Sequence, residues 1–298
     1  MEIFMANNIT LAQKFVPVID DIYKAQSVTA VLDAQTQTDF TGANEVKVLK
    51  VSTTGLGDYS RTSGYPKGDV TASWETMKLT EERGKEFNVD RMDDEETLGM
   101  VFGTLTGNFM RDHVIPELDA YRFAKYASTS NIGTTTGAAL TKDTILGAID
   151  DAVSEMDEAE VPEQGRILFV NSSLKPVLNN ALSRQWASDG TVNNVLSGYN
   201  GMQIVYVPKS RFYTGITLND GASSWGYTKA SDAVDINFMV IYPQSVLQVT
   251  KFALPKIFSP DENQDKDMWK FQFRLYHDAF VMDNKLKGVY LHKGAASA

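Results

Sequence analysis

The chain has 298 residues, 43% of them hydrophobic, with 38 acidic against 28 basic side chains and a net charge of −10. Such a chain buries a sizeable core in one large or two smaller globular domains, which excludes a disordered protein. The absence of cysteine removes disulfides, thiol nucleophiles, haem attachment and cysteine-held metal sites. The acidic balance argues against gripping nucleic acid, which takes an excess of Lys and Arg.

Residues 1–8 read as a loose arm. They lack the basic start and apolar run of a secretory signal, so the chain is expected to stay in the cytoplasm of the cell that makes it. In 9–32, Leu11, Phe15, Val18, Ile19 and Ile22 recur at helical steps around Pro17, which predicts two short helical pieces joined at the proline. Residues 33–44 carry no helical period and are expected to run extended.

The stretch 45–77 predicts two facing strands. Val46, Val48 and Val51 alternate imperfectly with Lys47 and Lys50, and Val70, Ala72 and Trp74 alternate with Thr71, Ser73 and Glu75. Between them Gly55, Gly57, Gly64, Gly68 and Pro66 surround a single aliphatic residue, Leu56. A hairpin of this kind is marginal alone in water and needs a partner surface. Asp58, Tyr59, Arg61, Tyr65 and Lys67 are side chains suited to contact, against the plainer reading of a flexible Gly-rich loop. Residues 81–90 predict a further strand, Phe87 and Val89 pointing one way.

Residues 93–127 predict one long helix on the order of 50 Å. Asp93 and Glu96 have capping-box spacing, and Leu98, Val101, Phe102, Leu105, Phe109, Val114, Leu118 and Tyr121 fall on one side. Gly99, Gly103 and Gly107 form a stripe that something should approach closely, each at a cost of about 1 kcal/mol relative to Ala. Pro116 should kink the helix near Asp112. The competing reading is an ordinary buried helix crossed by a neighbour. Asn108, Arg111, Asp112 and His113 exclude a membrane span.

Residues 128–141, rich in Ser, Thr and Gly, mark a domain boundary. An amphipathic helix over 144–159 turns Ile145, Leu146, Ile149, Ala152, Val153 and Met156 inward. Asp143, Asp150, Asp151, Glu155, Asp157, Glu158, Glu160 and Glu163 around it, against Lys142, supply −7 of the −10. These carboxylates are spread around a solvated face and do not converge on a metal. A strand at 166–170, a helix capped by Ser172 or Ser173 running toward Trp186, and a strand at 203–207 make an α/β unit. After a loop-rich 209–233, strands are expected at 234–242, 246–258, 268–283 and 287–292, with Trp269, Phe271, Phe273 and Leu275 in strict alternation. This β-rich end must pack on something apolar, and the long helix is the candidate.

Catalytic signals are sparse. His113, His277 and His292 stand in no metal-binding or triad spacing, and Gly55-Leu56-Gly57 opens no helix that would cradle a phosphate. The acidic tract 261–267 lacks the central Gly and trailing Glu of an EF-hand loop and reads as a solvated turn. No carboxylate pair stands out as a glycosidase pair.

The run Gly55-Leu56-Gly57-Asp58-Tyr59-Ser60-Arg61, with Trp74-Glu75-Thr76, Leu79-Thr80, Arg83-Gly84, Asp90, Met92-Asp93 and Pro116-Glu117-Leu118-Asp119-Ala120-Tyr121-Arg122-Phe123, closely resembles major capsid proteins of tailed bacteriophages and prophages with the HK97-type fold. So does the segment 261–278, with Trp269-Lys270-Phe271 and Arg274-Leu275-Tyr276-His277-Asp278. The resemblance implies an α+β fold divided into an N-terminal arm (1–44), an extended β-hairpin E-loop (45–77), a P-domain with the long spine helix (78–141), an α/β A-domain (142–241) and a C-terminal β region of the P-domain (242–298). It implies a non-enzymatic, cofactor-free shell subunit, assembling into pentamers and hexamers through Leu56, Asp58, Tyr59, Arg61, Tyr65, Lys67 and Trp74 of the loop. Gly99, Gly103, Gly107 and Pro116 would serve spine packing. The implied setting is a virion assembled in the bacterial cytoplasm, enclosing DNA without sequence-specific binding and without a membrane. The long charged scaffolding segment of many relatives is not found at the start, which implies either a separate scaffolding protein, beside a portal, or a processed form that begins at an artificial Met. Some relatives cross-link a loop lysine to a neighbour's asparagine; Lys67 stands suitably, but no matching asparagine or assisting glutamate is found. An encapsulin-like compartment shell is the alternative, and a carboxylate-based hydrolase the rival from another class.

Overall fold

A computed structural model describes residues 27–35, 45–62, 64–96, 100–135, 137, 139–181 and 198–295. The helical pieces expected around Pro17, the run after residue 35 and the approach to Trp186 lie outside these residues. Val28–Gln35 is a 3-10 helix, so residues 33–35 are helical where an extended run was expected. The reason is the buried anchor of this segment, described below.

The strands β1 (Glu45–Thr53) and β2 (Val70–Lys78) form an antiparallel ladder from Glu45 opposite Lys78 to Thr53 opposite Val70. It is a two-stranded sheet of its own. Across Leu79 and Thr80 the chain enters β3 (Glu81–Asp90), whose alternating half-buried and exposed residues match the predicted period.

A helical run follows as α1 (Arg91–Glu96), α2 (Met100–Phe109), a π-turn over Met110–Val114 and α3 (Ile115–Ser128). One expectation, the cap, is corrected, and another, the defect that Pro116 imposes near Asp112, takes a specific form. The cap is Asp90, whose Oδ1 accepts from the Met92 N–H at 2.9 Å, three residues before the expected Asp93. Strand β3 ends at Asp90 and the chain turns at once, so Asp93 falls inside the first turn. At Pro116 the helix is accommodated by the π-turn, in which the Ile115 N–H reaches back to the Met110 carbonyl. Proline has no N–H to give Asp112, and one wide turn just before it absorbs the mismatch.

Then come β4 (Gly133–Thr135), α4 (Ile145–Glu158), β5 (Ile167–Asn171), α5 (Lys175–Ala181), β6 (Gly198–Tyr199), β7 (Met202–Val207), β8 (Ile216–Leu218), β9 (Tyr227–Lys229), β10 (Ile236–Ile241), β11 (Val246–Phe258), β12 (Met268–Val281) and β13 (Val289–Lys293). The helix after β5 is preceded by a short 3-10 turn capped by Asn171, which accepts from the Ser173 N–H at 3.1 Å, instead of by Ser172 or Ser173. A six-stranded sheet runs β4-β13-β10-β5-β7-β6, and a three-stranded sheet runs β11-β12-β3. Strands β4 and β13 therefore join a sheet whose other members lie between residues 167 and 241, so it spans both boundaries drawn from sequence.

Strand β5, a continuous apolar run, is buried at every residue because both faces of its sheet are covered. Ile145, Ile149, Ala152 and Met156 of α4 cover one face, with Leu168, Val170, Phe238 and Val240 beneath them. Phe123 and Tyr126 of α3 cover the other, against Ile167, Phe169 and Met239. The three-stranded sheet lays Phe271, Phe273 and Leu275 on Met110, Val114 and Leu118, as the alternation in β12 required. One helix thus closes two cores. Phe271 is fully buried between Phe87 and Phe109. Phe271→Ala should cost about 3–5 kcal/mol, read as a lower denaturation midpoint at unchanged m-value. A loss under about 1 kcal/mol would mean that this sheet does not depend on the helix.

Candidate assembly surface

Opposite residues of an antiparallel ladder share a face, so the register sorts the hairpin side chains into two sets. Val46, Met77, Val48, Glu75, Lys50 and Ser73 lie on one face, and Leu49, Trp74, Val51, Ala72 and Val70 on the other. The first face is anchored at its base, where Val46 and Met77 are buried with Leu79, Leu247 and Val249. Farther out Lys50 pairs with Asp283 at 3.1 Å, and the Asp283 N–H donates to Glu75 at 3.3 Å. The second face is bare: Leu49 is 48% exposed, Val51 58%, Trp74 63% and Val70 71%. A folded monomer ordinarily turns its apolar face inward and its charges out; the base of this ladder does so, with Glu45, Lys47 and Lys78 on the outer face, and its outer half beyond Lys47 and Thr76 does the reverse.

The tip spans 54–69. Ser60 and Gly64 exchange backbone hydrogen bonds at 3.2 and 2.7 Å around a tight turn, with Gly64 at φ +83°, a conformation that glycine adopts without strain. The rings of Tyr59 and Tyr65 meet at 4.9 Å, and the Thr54 hydroxyl accepts from the Asp69 N–H. Leu56, Asp58, Tyr59, Arg61, Tyr65 and Lys67 are all exposed here, and with Trp74 on the bare face they lie on one projecting element. Of the spine residues, Gly99 lies outside the described residues, Gly103 and Gly107 sit within α2, and Pro116 is the second residue of α3.

Where the hairpin joins the body, Asp278 of β12 is fully buried. Its Oδ2 accepts from the backbone N–H and hydroxyl of Thr80, both at 3.0 Å, and its Oδ1 from the Tyr121 hydroxyl at 2.7 Å and the Ala279 N–H at 2.8 Å. The Lys125 ammonium stands 3.6 Å away. Burial and this carboxylate together hold the Tyr121 hydroxyl in its protonated, donating form, its pKa far above the usual phenol range. Tyr276 donates to the Leu79 carbonyl at 3.0 Å, so both connecting residues are held by β12.

A second buried carboxylate holds the start of the described chain. Asp119 on α3 accepts from the Ser27 hydroxyl at 2.7 Å, the Val28 and Thr29 N–H groups at 3.1 and 3.2 Å, the Thr29 hydroxyl at 2.7 Å and Arg211 at 3.2 Å. Arg122, one turn on and 2% exposed, donates to Thr29 and pairs with Asp33 at 3.5 Å. In the sequence Tyr121 reads only as part of the apolar side of the helix, and Asp119, Arg122 and Asp278 stand only within the resemblance, none with a polar role. Their partners lie as far as 198 residues away, and the only signal in the sequence was charge inside an otherwise apolar helical or strand pattern.

Beside α3 a groove of about 550 Å³ is walled by Phe87, Phe109, Leu118 and Phe273, with Trp225 and His277 at its lining. Arg83 crosses it as a fork to Glu117 at 2.7 and 3.3 Å and reaches the Asn219 carbonyl at 2.7 Å, tying β3 to the loop before β9. Burial, reinforced by Arg122, pushes His277 down to about 3. Among the described residues no group of three or more His, Asp or Glu is placed to hold a metal ion.

No family model and no curated protein matches the chain. Solved structures do. The chain is similar to the capsid structure of cyanophage P-SCSP1u, at 14% identity over 89% of this chain and 88% of that chain, TM-score 0.63. It is similar to the mature capsid of bacteriophage PhiM1, at 12% identity over 90% and 85%, TM-score 0.56. It is also similar to a virus-like particle from Pyrococcus furiosus, at 11% identity over 94% and 98%, TM-score 0.55. At such identities the likeness is one of fold, and the chain has an α+β capsid fold.

His277 gives this site a pH signature. Folded, its ring stays neutral down to about pH 3, whereas unfolded it takes a proton near the ordinary 6.5, so the unfolded state binds more protons between these values. Stability should therefore fall as pH drops through 6.5. By pH 5 this one group accounts for about 2 kcal/mol relative to neutrality. Denaturant titrations of His277→Phe at pH 7 and pH 5 should show a smaller loss than the parent by about that amount; equal losses would place the titration elsewhere.

Proposed function

We propose that this chain is the major capsid protein of a tailed phage or prophage, an HK97-type subunit that self-assembles into an icosahedral shell around double-stranded DNA. The observation that carries the reading is the bare apolar face of Leu49, Val51, Val70 and Trp74, on a hairpin that pairs with no third strand among the described residues. A second copy of the chain covers that face in the shell. In this reading 45–77 is the E-loop and the helical run from Arg91 the spine of a P-domain begun at 78 and completed by β11 and β12. Residues 142–241 are the A-domain, its sheet extended by β4 and β13. Residues before 45 form the arm, held through Ser27, Thr29 and Asp33. Leu56, Asp58, Tyr59, Arg61, Tyr65 and Lys67 at the tip and Trp74 on the ladder are the interface, and the Gly103 and Gly107 stripe with Pro116 is spine packing. The role is structural and needs no cofactor. Pentamers and hexamers, a separate scaffolding protein and a portal complete a virion assembled in the bacterial cytoplasm. A net charge of −10 suits a wall that encloses DNA without gripping it.

The virus-like particle match, which spans nearly all of both chains, favours an encapsulin-like compartment shell as the second reading. Both readings require closed shells. Electron microscopy of the expressed parent should show them. Trp74→Glu, which puts a charge into the apolar face at an exposed position, should leave circular dichroism unchanged and the protein as free subunits. Arg61→Glu with Lys67→Glu should also reduce shells, through repulsion from carboxylates of the neighbouring subunit. A parent found only as a small oligomer, or variants that assemble as efficiently as the parent, would overturn the proposal.

A further inference from the structure

The geometry points to Asp278 as the positioning residue that fixes the angle at which the β1–β2 hairpin leaves the body, and so the curvature of the assembly it builds. This rests on the shell reading above. The hairpin is a lever. Nine residue pairs at about 3.4 Å each make a ladder about 30 Å long before the tip begins. It is attached to β3 through two residues, Leu79 and Thr80, and a swing of about 10° at that connection would carry the far end of such a ladder by about 5 Å. A displacement of that size separates a seated hot-spot side chain from an empty pocket, so a repeating closed contact requires the connection to be stiff.

The ladder's inner face is held at its base by Val46 and Met77 and farther out by the Lys50–Asp283 pair, and the connection itself needs a tie of its own to fix its angle. Asp278 supplies that tie. One fully buried carboxylate holds Thr80 by two donors and the long helix by the Tyr121 hydroxyl, while its own strand contributes the Ala279 N–H. Hairpin connection, helix α3 and strand β12 meet at two oxygen atoms. The charge is neutralised at 3.6 Å by Lys125 on the same helix. Bonds of this kind are short, directional and stronger than neutral ones, which suits them to fixing an angle. The Tyr276 bond to the Leu79 carbonyl holds the other connecting residue from the same strand.

The test uses the full chain with Tyr121→Phe and Thr80→Val combined, which remove the two hydroxyl donors and keep both shapes and the Thr80 N–H. Thr80→Ser, which keeps a hydroxyl, is the rescue control. In free subunits, hydrogen exchange of residues 45–53 and 70–78 should quicken about tenfold, the loss corresponding to weakened charge-assisted bonds, while the Phe271-to-Leu275 ladder keeps the parent's rate. Shells of the double variant should be fewer and spread in diameter, and Thr80→Ser should match the parent in both measurements. Unchanged hairpin exchange, or exchange quickened equally throughout the chain, would overturn the positioning role, the second outcome meaning that Asp278 supports only the core. A parent that forms no shells would instead refute the shell reading, and hairpin exchange would still decide whether Asp278 holds the connection.

Discussion

A two-stranded ladder satisfies half of its backbone groups and covers neither of its faces. That constraint governs how this chain is read. One face of β1–β2 is tied to the body by Val46, Met77, Lys50 and Glu75. The other presents Leu49, Val51, Val70 and Trp74 to solvent, an arrangement that costs solubility in an isolated subunit and is relieved only by contact with another surface. The tip repeats the pattern on a smaller scale, with Leu56 fully exposed between two glycines and the tyrosine pair beside it.

The rest of the molecule makes that projecting element a rigid one. Helix α3 touches both sheets, its Leu118 turned to the three-stranded layer and its Phe123 and Tyr126 to the six-stranded one. Between those apolar contacts it carries Asp119, Tyr121 and Arg122, which hold the start of the described chain and the hairpin connection. Buried charges are costly unless each is surrounded by donors, and Asp119 and Asp278 are. Their cost is offset by hydrogen bonds that specify where two flexible attachments sit, which apolar packing of the same volume would leave free to slide.

Much of this was legible in the sequence because it depends on local periodicity. Phe271, Phe273 and Leu275 alternate because one side of β12 lies on a helix, and the apolar run at β5 is continuous because its sheet is covered twice. Boundaries were less legible. Asp93 has the spacing of a cap, yet Asp90 does the capping because the preceding strand ends there. Pro116 announced a defect, but that the helix would widen into a π-turn depends on packing above and below it. The Asn200-Gly201 pair, with φ of 50° and 75°, closes the β6–β7 hairpin, a turn signal that the sequence carried and that reading by apolar period passes over. The joining of β4 and β13 to the six-stranded sheet and the polar anchors at Asp119 and Asp278 were hidden for one reason. They pair residues far apart in the chain, and a single sequence shows what each residue is without showing what it meets.

The most direct measurement of the central claim is amide hydrogen exchange of residues 45–53 and 70–78, taken first in dissociated subunits and again in the assembled particle. If a neighbouring copy covers the bare face, these two strands should exchange faster than β12 in the subunit and become more protected on assembly, while β5 and β12 stay equally protected in both states. Strands already as protected in the subunit as β12, with no change on assembly, would contradict it.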